Sequence, residues 1–440
     1  MFIPWLKNRK NTFTAIFVDI FILLLLYFTE KDFFYHSVEF FITILIPWIL
    51  SSYIYGRYSI ENAFKIQRVF YQIILRTFIS LTITLIWMKL IQFFLTLFSI
   101  NFYISLKDLE LILKLSFLSI FFQFILFLKN NLSSKKNQNI FIIGDDIFKK
   151  IEFLPSEIRD FQKFNLLFYD ENLKKESLNI QEIILTKNNL TNEEIEFCRK
   201  MSLKGIRIYN LVQWIEKSFN RTPSDLLITY DFLKSNNMPF YNLQLRLKRI
   251  GDIFVSVILL IVLLPINIIL MALIKIEDGG PIFYRQTRNG FKNKTFTIWK
   301  FRSMKSDAEL HGAKWAQKND QRITKIGSFI RKMRLDETPQ LINVIAGQMS
   351  LIGPRPERPE MDESLNKKIN LYNFRYNIRP GLSGWAQVNF PYGASYSDSK
   401  NKLSYDLFYL QNFSFFLDLL ILFKTLRLVL NLKGSKPNIL

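Results

Sequence analysis

The sequence predicts a membrane protein in which four transmembrane helices are followed by two α/β domains. Within residues 1–130, four apolar runs follow one another, and each can form a helix of about 20 residues, enough to cross a hydrocarbon core. After residue 135 the apolar runs become short and alternate with polar stretches, which is typical of α/β folds. The last third of the chain is strongly basic and contains one further long apolar run.

The four transmembrane helices are predicted at residues 12–29, 37–55, 77–106 and 109–128. Lys and Arg are concentrated before the first run, between the second and third, and after the fourth. By the positive-inside rule, the N-terminus and the chain from residue 130 onward then face the cytoplasm. Asp19 and Lys89 interrupt two of the runs, and such residues mark either a function or, more commonly, a helix–helix contact or snorkelling.

Charge is unevenly distributed along the 440 residues. The net charge is +5 for residues 1–130, +1 for 131–245 and +15 for 246–440, out of a total of +21. The basic last third is compatible with nucleic-acid binding or with an anionic small substrate at an anionic membrane surface, and the apolar runs favour the second. A single Cys excludes a disulfide framework and a cysteine-built zinc site, and two His leave little room for histidine-based metal sites.

Residues 131–245 are predicted to form a small Rossmann-like α/β domain and a linker. Parallel strands are indicated by short apolar runs at 139–146, 164–171, 181–186 and 205–210. A dinucleotide site at the first strand–helix turn needs a Gly-rich backbone, whereas Gly144 stands alone before Asp145 and Asp146. A scaffold or regulatory role is therefore favoured, and residues 219–245 are interpreted as the linker.

Two apolar runs in the last third are predicted not to cross the membrane. If residues 253–274 crossed, the +15 segment would face outward, against the positive-inside tendency. Pro265 lies inside this run and removes a backbone hydrogen bond, so we expect a re-entrant helix hairpin that is broken there. Charged residues interrupt the second run, 413–430, which favours a helix in the membrane interface over one that spans the membrane; an amphipathic helix packed on the core is the alternative.

Cationic side chains accompany the predicted turns of this last third. Asn289-Gly290 predicts a two-residue hairpin, and Lys300 and Arg302 follow it among large apolar residues. Three prolines stiffen residues 353–359, so this loop can aim Arg355 at a phosphate or carboxylate. Arg379 begins another loop that is rich in Gly and Pro.

Two adjacent carboxylates, Asp336 and Glu337, follow a basic stretch. Adjacent acids on a helix point in different directions, and acids in a first helical turn are common, so the spacing alone does not define a catalytic pair. Among so many cations they can instead stay ionised, as a nucleophile or as ligands of a divalent metal beside a phosphate.

Residues 246–440 resemble the catalytic domain of the bacterial polyprenyl-phosphate glycosyl-1-phosphate transferases. The matching motifs are KRIGD (248–252), the apolar run with Pro265, GGPIFYRQTRNG (279–290), KFRSM (300–304), RITKIG (322–327), LDETPQL (335–341), MSLIGPRPE (349–357) and RPGLSGWAQVN (379–389). The preceding spans and α/β segment resemble the long, undecaprenyl-phosphate hexose-phosphate form in architecture only. Gln321 stands where the family often has Pro, which should affect the chemistry little.

This resemblance implies the transfer of a sugar 1-phosphate from a UDP-sugar to undecaprenyl phosphate, with release of UMP. It implies that Asp336 is the nucleophile, that Asp336 and Glu337 hold Mg²⁺, and that Lys300 and Arg355 bind phosphate oxygens. Arg302 and Arg379 are weaker candidates for substrate binding. It further implies a monotopic catalytic domain on the cytoplasmic face of the bacterial inner membrane, contact with membrane lipids and no nucleic-acid partner, and a homodimer is expected.

The sugar and the pathway are left open by the sequence. Glucose or galactose phosphate is expected from the long architecture, with an N-acetylhexosamine as the alternative, for the initiation of exopolysaccharide, capsule or O-antigen synthesis. Two other classes of protein compete with this interpretation. A sugar-nucleotide epimerase or dehydratase is disfavoured by the missing Gly-rich turn, and a non-catalytic scaffold for polysaccharide assembly is disfavoured by the intact Asp336–Glu337 pair.

Overall fold

The chain divides into two compact units, Met1–Phe219 and Asn220–Leu440. The computed structural model describes residues 9–29, 38–58, 66–97, 106–134, 138–144, 164–168, 180–187, 189–227, 242–305, 320–390 and 395–430. The first unit contains apolar helices followed by a parallel sheet, and the second is an α/β unit that begins with a long apolar helix.

The first unit begins with four apolar helices: α1 (Lys10–Thr29), α2 (Val38–Ile54), α3 (Ile66–Leu97) and α4 (Leu106–Ser134). Among the described residues, the helices long and apolar enough to cross a membrane are Asn11–Thr29, Ile66–Leu97, Asp108–Lys129 and Leu243–Asp278. The predicted second span, 37–55, corresponds to the 17 residues of α2. The fourth helix of sufficient length is instead the one that contains residues 253–274, the run that we predicted would not cross. The predicted third span begins earlier, at Ile66, and residues 98–105 lie outside the described part of the chain.

Asp19 lies at the centre of a buried polar cluster between these helices and is 1% exposed. Its carboxylate forms an ion pair with Arg57, just after α2, and accepts hydrogen bonds from Trp48 (3.0 Å) and Ser119 (2.5 Å). A charge in an apolar bundle is tolerated only when it is paired and hydrogen-bonded, so this cluster explains Asp19 as a helix–helix contact. Lys89, in contrast, is exposed on α3 and donates to Gln92 on the same helix.

The sheet of the first unit has four parallel strands in the order β2-β1-β3-β4. They are β1 (Gln138–Ile143), β2 (Phe164–Phe168), β3 (Glu182–Leu185) and β4 (Arg207–Asn210). The described helices are α5 (Asn192–Leu203), which begins with a capping box of Thr191 and Glu194, and α6 (Leu211–Phe219). The predicted parallel strands are confirmed, and strands and helices alternate from β3 to α6. The connections after β1 and β2, including residues 145–150, where a dinucleotide would bind after Gly144, lie outside the described residues.

The second unit contains two small sheets and seven helices among its described residues. The helices are α7 (Asn242–Asp278), α8 (Lys325–Lys332), α9 (Gln340–Ile345), α10 (Pro359–Asn366), α11 (Trp385–Asn389), α12 (Tyr396–Gln411) and α13 (Phe415–Leu430). The strands are β5 (Phe283–Asn289), β6 (Thr295–Phe301), β7 (Ser350–Ile352) and β8 (Gly381–Ser383). The predicted linker partly joins this unit, because the backbone of Thr222 donates to Ser404 of α12 over 2.8 Å; residues 228–241 are not described.

The antiparallel hairpin β5–β6 is confirmed, but its loop is longer than predicted. The register pairs Asn289 with Thr295 and Tyr284 with Lys300, so five residues, 290–294, form the loop instead of two. Lys292 and Asn293 both adopt positive φ, which completes the reversal after Gly290. Lys300 thus lies one residue before the end of β6.

The helix α7 runs without interruption from Asn242 to Asp278, with Pro265 inside it. The predicted break at Pro265 therefore does not end the helix. A proline removes one hydrogen bond and clashes with the preceding turn, which bends a helix and does not necessarily end it. The buried side chains of α7, from Asp252 to Ile274, face the rest of the second unit. Large apolar residues on its other side, such as Phe254 and Ile261, are about two-thirds exposed.

The last helix, α13, both packs on the unit and presents apolar side chains outward. Leu417 and Ile421 are fully buried, and Asp418 pairs with Lys248 of α7 over 2.6 Å. Phe415 and Phe416 are each 67% exposed. The core-packed alternative thus holds for one face of the helix, while the other face has the composition expected of an interfacial helix.

Candidate active site

Three segments of the second unit bring the predicted site residues together. Strand β6 supplies Lys300, a single 3₁₀ turn supplies Asp336 and Glu337, and the loop between β7 and α10 supplies Arg355. The turn begins after Arg334, whose φ of 55° reverses the chain at the end of α8. The turn is also tied to α7, because Thr338 donates to Asn267 over 2.9 Å.

Glu337 is the most strongly bonded member of the site. Its Oε1 atom accepts hydrogen bonds from Lys300 Nζ at 3.1 Å and from Arg355 Nη2 at 2.5 Å. Its Oε2 atom accepts from Arg334 Nη2 at 3.3 Å. With 8% exposure and three cationic donors, the Glu337 carboxylate is held in one orientation.

Asp336 is held quite differently from its neighbour. Among the described residues, no side chain or backbone group donates a hydrogen bond to its carboxylate, and no cation lies within 4 Å of it. Burial, followed by the charge of Glu337, raises the pKa of Asp336 above its ordinary value, although Lys300 and Arg331 act in the opposite direction. A desolvated carboxylate without hydrogen-bond donors keeps its lone pairs available for nucleophilic attack or for a metal ion.

The pKa values of the surrounding groups show how the charges are balanced. Burial acts to raise the pKa of Glu337, but Arg355, Lys300 and Arg334 more than offset it and hold that pKa well below its usual range. Burial also lowers the pKa of Lys300, and the two carboxylates oppose this shift. The site therefore combines an ionised, anchored Glu337 with cations that remain available to an anionic ligand.

Comparison with known proteins identifies the family of the chain. Residues 243–432 match the family model described as bacterial sugar transferase. The exopolysaccharide production protein PSS of Rhizobium leguminosarum bv. phaseoli is 38% identical over 42% of this chain and 94% of its own length. The chain belongs to the bacterial sugar transferase family.

Longer relatives of this family are also similar to the chain. The UDP-N-acetylgalactosamine-undecaprenyl-phosphate N-acetylgalactosaminephosphotransferase of Aeromonas hydrophila is 39% identical over 57% of this chain. The UDP-glucose:undecaprenyl-phosphate glucose-1-phosphate transferase of Klebsiella pneumoniae is 32% identical, again over 57% of the chain. The chain spans 59% and 52%, respectively, of the lengths of these two relatives.

Two of the cations suggested by the sequence have partners away from Glu337 in this sugar transferase. Arg302 is 7% exposed and forms an ion pair with Asp278 at the C-terminal end of α7, where a cation also complements the helix dipole. Arg379 donates from Nε to the carbonyl oxygen of Gly347 over 2.9 Å. Their contacts are those of residues that hold the fold, whereas Lys300 and Arg355 contact the Glu337 carboxylate directly.

Sequence reasoning missed two residues of the site. Arg334 lies in the basic stretch that precedes the carboxylates, and it is the third cation on Glu337. Its position three residues before Glu337, across a tight turn, is a signal that could have indicated this contact. The second residue is Asn267, two residues after Pro265, which accepts the hydrogen bond from Thr338. Nothing in its local sequence indicates the bond to Thr338, because that bond joins positions 71 residues apart.

Proposed function

We propose that this chain transfers a sugar 1-phosphate from a UDP-sugar to undecaprenyl phosphate, with release of UMP. The observation that carries the proposal is the contrast within the carboxylate pair: Glu337 is bound by three cations, whereas Asp336 accepts no hydrogen bond from the described residues. Family membership and two relatives named for this reaction with N-acetylgalactosamine and glucose support the substrate classes.

In the first step, an Asp336 carboxylate oxygen attacks the β-phosphorus of the UDP-sugar. A bond forms between that oxygen and phosphorus, and the bond from the β-phosphorus to the bridging oxygen breaks, so UMP leaves with the electron pair. In the second step, a phosphate oxygen of undecaprenyl phosphate attacks the same phosphorus and releases the Asp336 carboxylate. Positioning and charge neutralisation dominate such transfers, and Lys300 and Arg355 would supply both to the phosphate oxygens.

The carboxylate pair also fits a magnesium ion. Mg²⁺ typically takes one or two carboxylates together with water and substrate phosphates, so a larger cluster of protein ligands is not required. Among the described residues Asp336 has no hydrogen-bond donors to displace, and Glu337 retains lone pairs beyond the three bonds that it accepts. Asp336 and Glu337 would hold the ion, which would neutralise the diphosphate.

The contacts of α7 support a helix that enters the membrane and returns to the cytoplasmic face. Arg249 donates to the Val344 carbonyl oxygen over 2.5 Å, and Asn267 accepts from Thr338. Contacts with this unit therefore lie on both sides of Pro265. A bend at Pro265 would direct both arms of α7 toward the unit, as a re-entrant helix requires.

The experiment is a UMP-release assay on the full chain in detergent, with undecaprenyl phosphate, Mg²⁺ and a panel of UDP-sugars. UDP-glucose and UDP-galactose are the proposed substrates, and UDP-N-acetylhexosamines are the alternative that the Aeromonas relative favours. Asp336→Asn should abolish UMP release with every sugar. Near-normal turnover by this variant would overturn the role of Asp336, and no release by the unaltered protein with any sugar would overturn the reaction.

A further inference from the structure

Four successive carbonyl oxygens of the loop that carries Arg355 each accept a hydrogen bond from a different group. Pro354 O accepts from the Gly381 backbone over 2.9 Å and Arg355 O from Arg375 Nη2 over 2.8 Å. Pro356 O accepts from Arg288 Nη1 over 3.2 Å, and Glu357 O from the Asn289 backbone over 3.0 Å. Because Pro354 and Pro356 have no N–H, carbonyl acceptors are the main means by which the backbone of this loop can be fixed.

Of these four donors, only Arg375 reaches the carbonyl of Arg355 itself. Its side chain is 6% exposed and pairs over 3.1 Å with Asp406 of α12, which is 2% exposed. The same guanidinium donates to the Tyr372 hydroxyl over 2.7 Å. One planar group thus spans α12, the 3₁₀ segment Tyr372–Asn377 and the loop, which is a geometry that arginine supplies and lysine does not.

We propose that Arg375, held by Asp406, is a positioning residue that aims Arg355 at Glu337 and at the phosphate of the substrate. The proposal rests on the proposed function, because it assigns Arg375 a part in the same reaction. Arg375 does not contact the carboxylate pair itself. It donates to the Arg355 carbonyl oxygen, and the Arg355 side chain in turn donates to Glu337.

The energetics of buried ion pairs favour this role over a purely stabilising one. Desolvation of two charges largely cancels their attraction, and replacement of such a pair by apolar residues is often neutral or stabilising. A buried Arg375–Asp406 pair is therefore poorly explained as a source of stability. It is better explained by the orientation that its remaining hydrogen bond imposes on the Arg355 loop.

The test is a double-mutant cycle on the UMP-release activity of the full chain. Arg375→Met combined with Asp406→Leu removes both charges and preserves apolar packing, and we expect kcat/KM to fall by about 10- to 100-fold. In an Arg355→Gln background, the same pair of substitutions should cause no further loss, because Arg355 would no longer be there to position. Arg375→Lys, which keeps the charge beside Asp406, should be more active than the Met/Leu double variant but less active than the unaltered protein.

A matched control is the buried Arg221, which donates to Asn401 over 2.9 Å, also on α12. Arg221→Met with Asn401→Leu should leave kcat/KM within about twofold in folded protein, since a structural hydrogen bond elsewhere on the helix is removed. Losses that multiply in the Arg355→Gln background, or near-normal activity of folded Arg375→Lys and of the Met/Leu pair, would overturn the positioning role. Failure of the unaltered protein to release UMP would instead overturn the proposed function.

Discussion

Lys300 offers the sharpest single-residue test of the site. Its side chain is 18% exposed and its Nζ atom donates to Glu337 over 3.1 Å. Lys300→Met removes the charge and retains an apolar stem, while Arg355 and Arg334 still hold Glu337. A hydrogen bond to a charged group contributes about 1.5–3 kcal/mol, which corresponds to a loss of about 10- to 150-fold in kcat/KM if it is made in the transition state.

The assay is UMP release under subsaturating UDP-sugar, with thermal unfolding measured in parallel. Lys367→Met is the matched control, because the Lys367 side chain is 72% exposed and pairs only with Glu363 one helical turn away among its described contacts. We expect that control to stay within about twofold of the unaltered protein. A Lys300→Met protein that unfolds normally and keeps more than half of the activity would refute the role of Lys300 at the phosphate.

Three further predictions concern stability. Burial raises the pKa of Asp406 to about 6 despite Arg375, so the folded chain binds the proton more tightly than the unfolded chain. The free energy of unfolding should therefore fall by about 1 kcal/mol as the pH rises from about 5 to 7. Asp406→Asn should remove this pH dependence of thermal unfolding, and an unchanged pH dependence would contradict the prediction. Gly353→Ala should lower the melting temperature by an amount equivalent to about 1–3 kcal/mol, since its Cβ would collide with the backbone of Arg379 and Gly381. Gly251→Ala, in open space on a helix, should not lower it. Arg57→Met leaves Asp19 buried without its ion-pair partner, which should lower the free energy of unfolding by about 3–5 kcal/mol. Adding Asp19→Asn to this variant should restore most of the melting temperature. Equal losses for the single and double variants would contradict the role of the ion pair.

The parts of the fold that local sequence patterns encode could be predicted. Hydropathy and short apolar runs located α1, α4 and the strands of the parallel sheet, because each of these signals lies within the element itself. The bounds of α2, Val38–Ile54, lie within one residue of the predicted 37–55 at each end. The five-residue hairpin loop was missed, since Asn289-Gly290 matches the signal of a tighter turn.

The candidate site could be predicted only as a set of motifs. Spacing could not show that Lys300 and Arg355, 37 residues before and 18 residues after Glu337, contact the same carboxylate oxygen. It also could not show that Asp336 and Glu337 differ so much in their bonding, because the difference is imposed by side chains from separate segments. The anchors of the Arg355 carbonyl were invisible for the same reason: Arg375 and Asp406 lie 31 residues apart in the sequence and meet only in the folded unit.

The most direct test of the account is UMP release without the lipid acceptor. If Asp336 forms a covalent intermediate, mixing the full chain with Mg²⁺ and its UDP-sugar should give a burst of about one UMP per active site, together with a sugar phosphate bound to the peptide that contains Asp336 in mass spectra. Asp336→Asn should give neither. UMP release that requires undecaprenyl phosphate from the first turnover, with no modified peptide, would contradict the account.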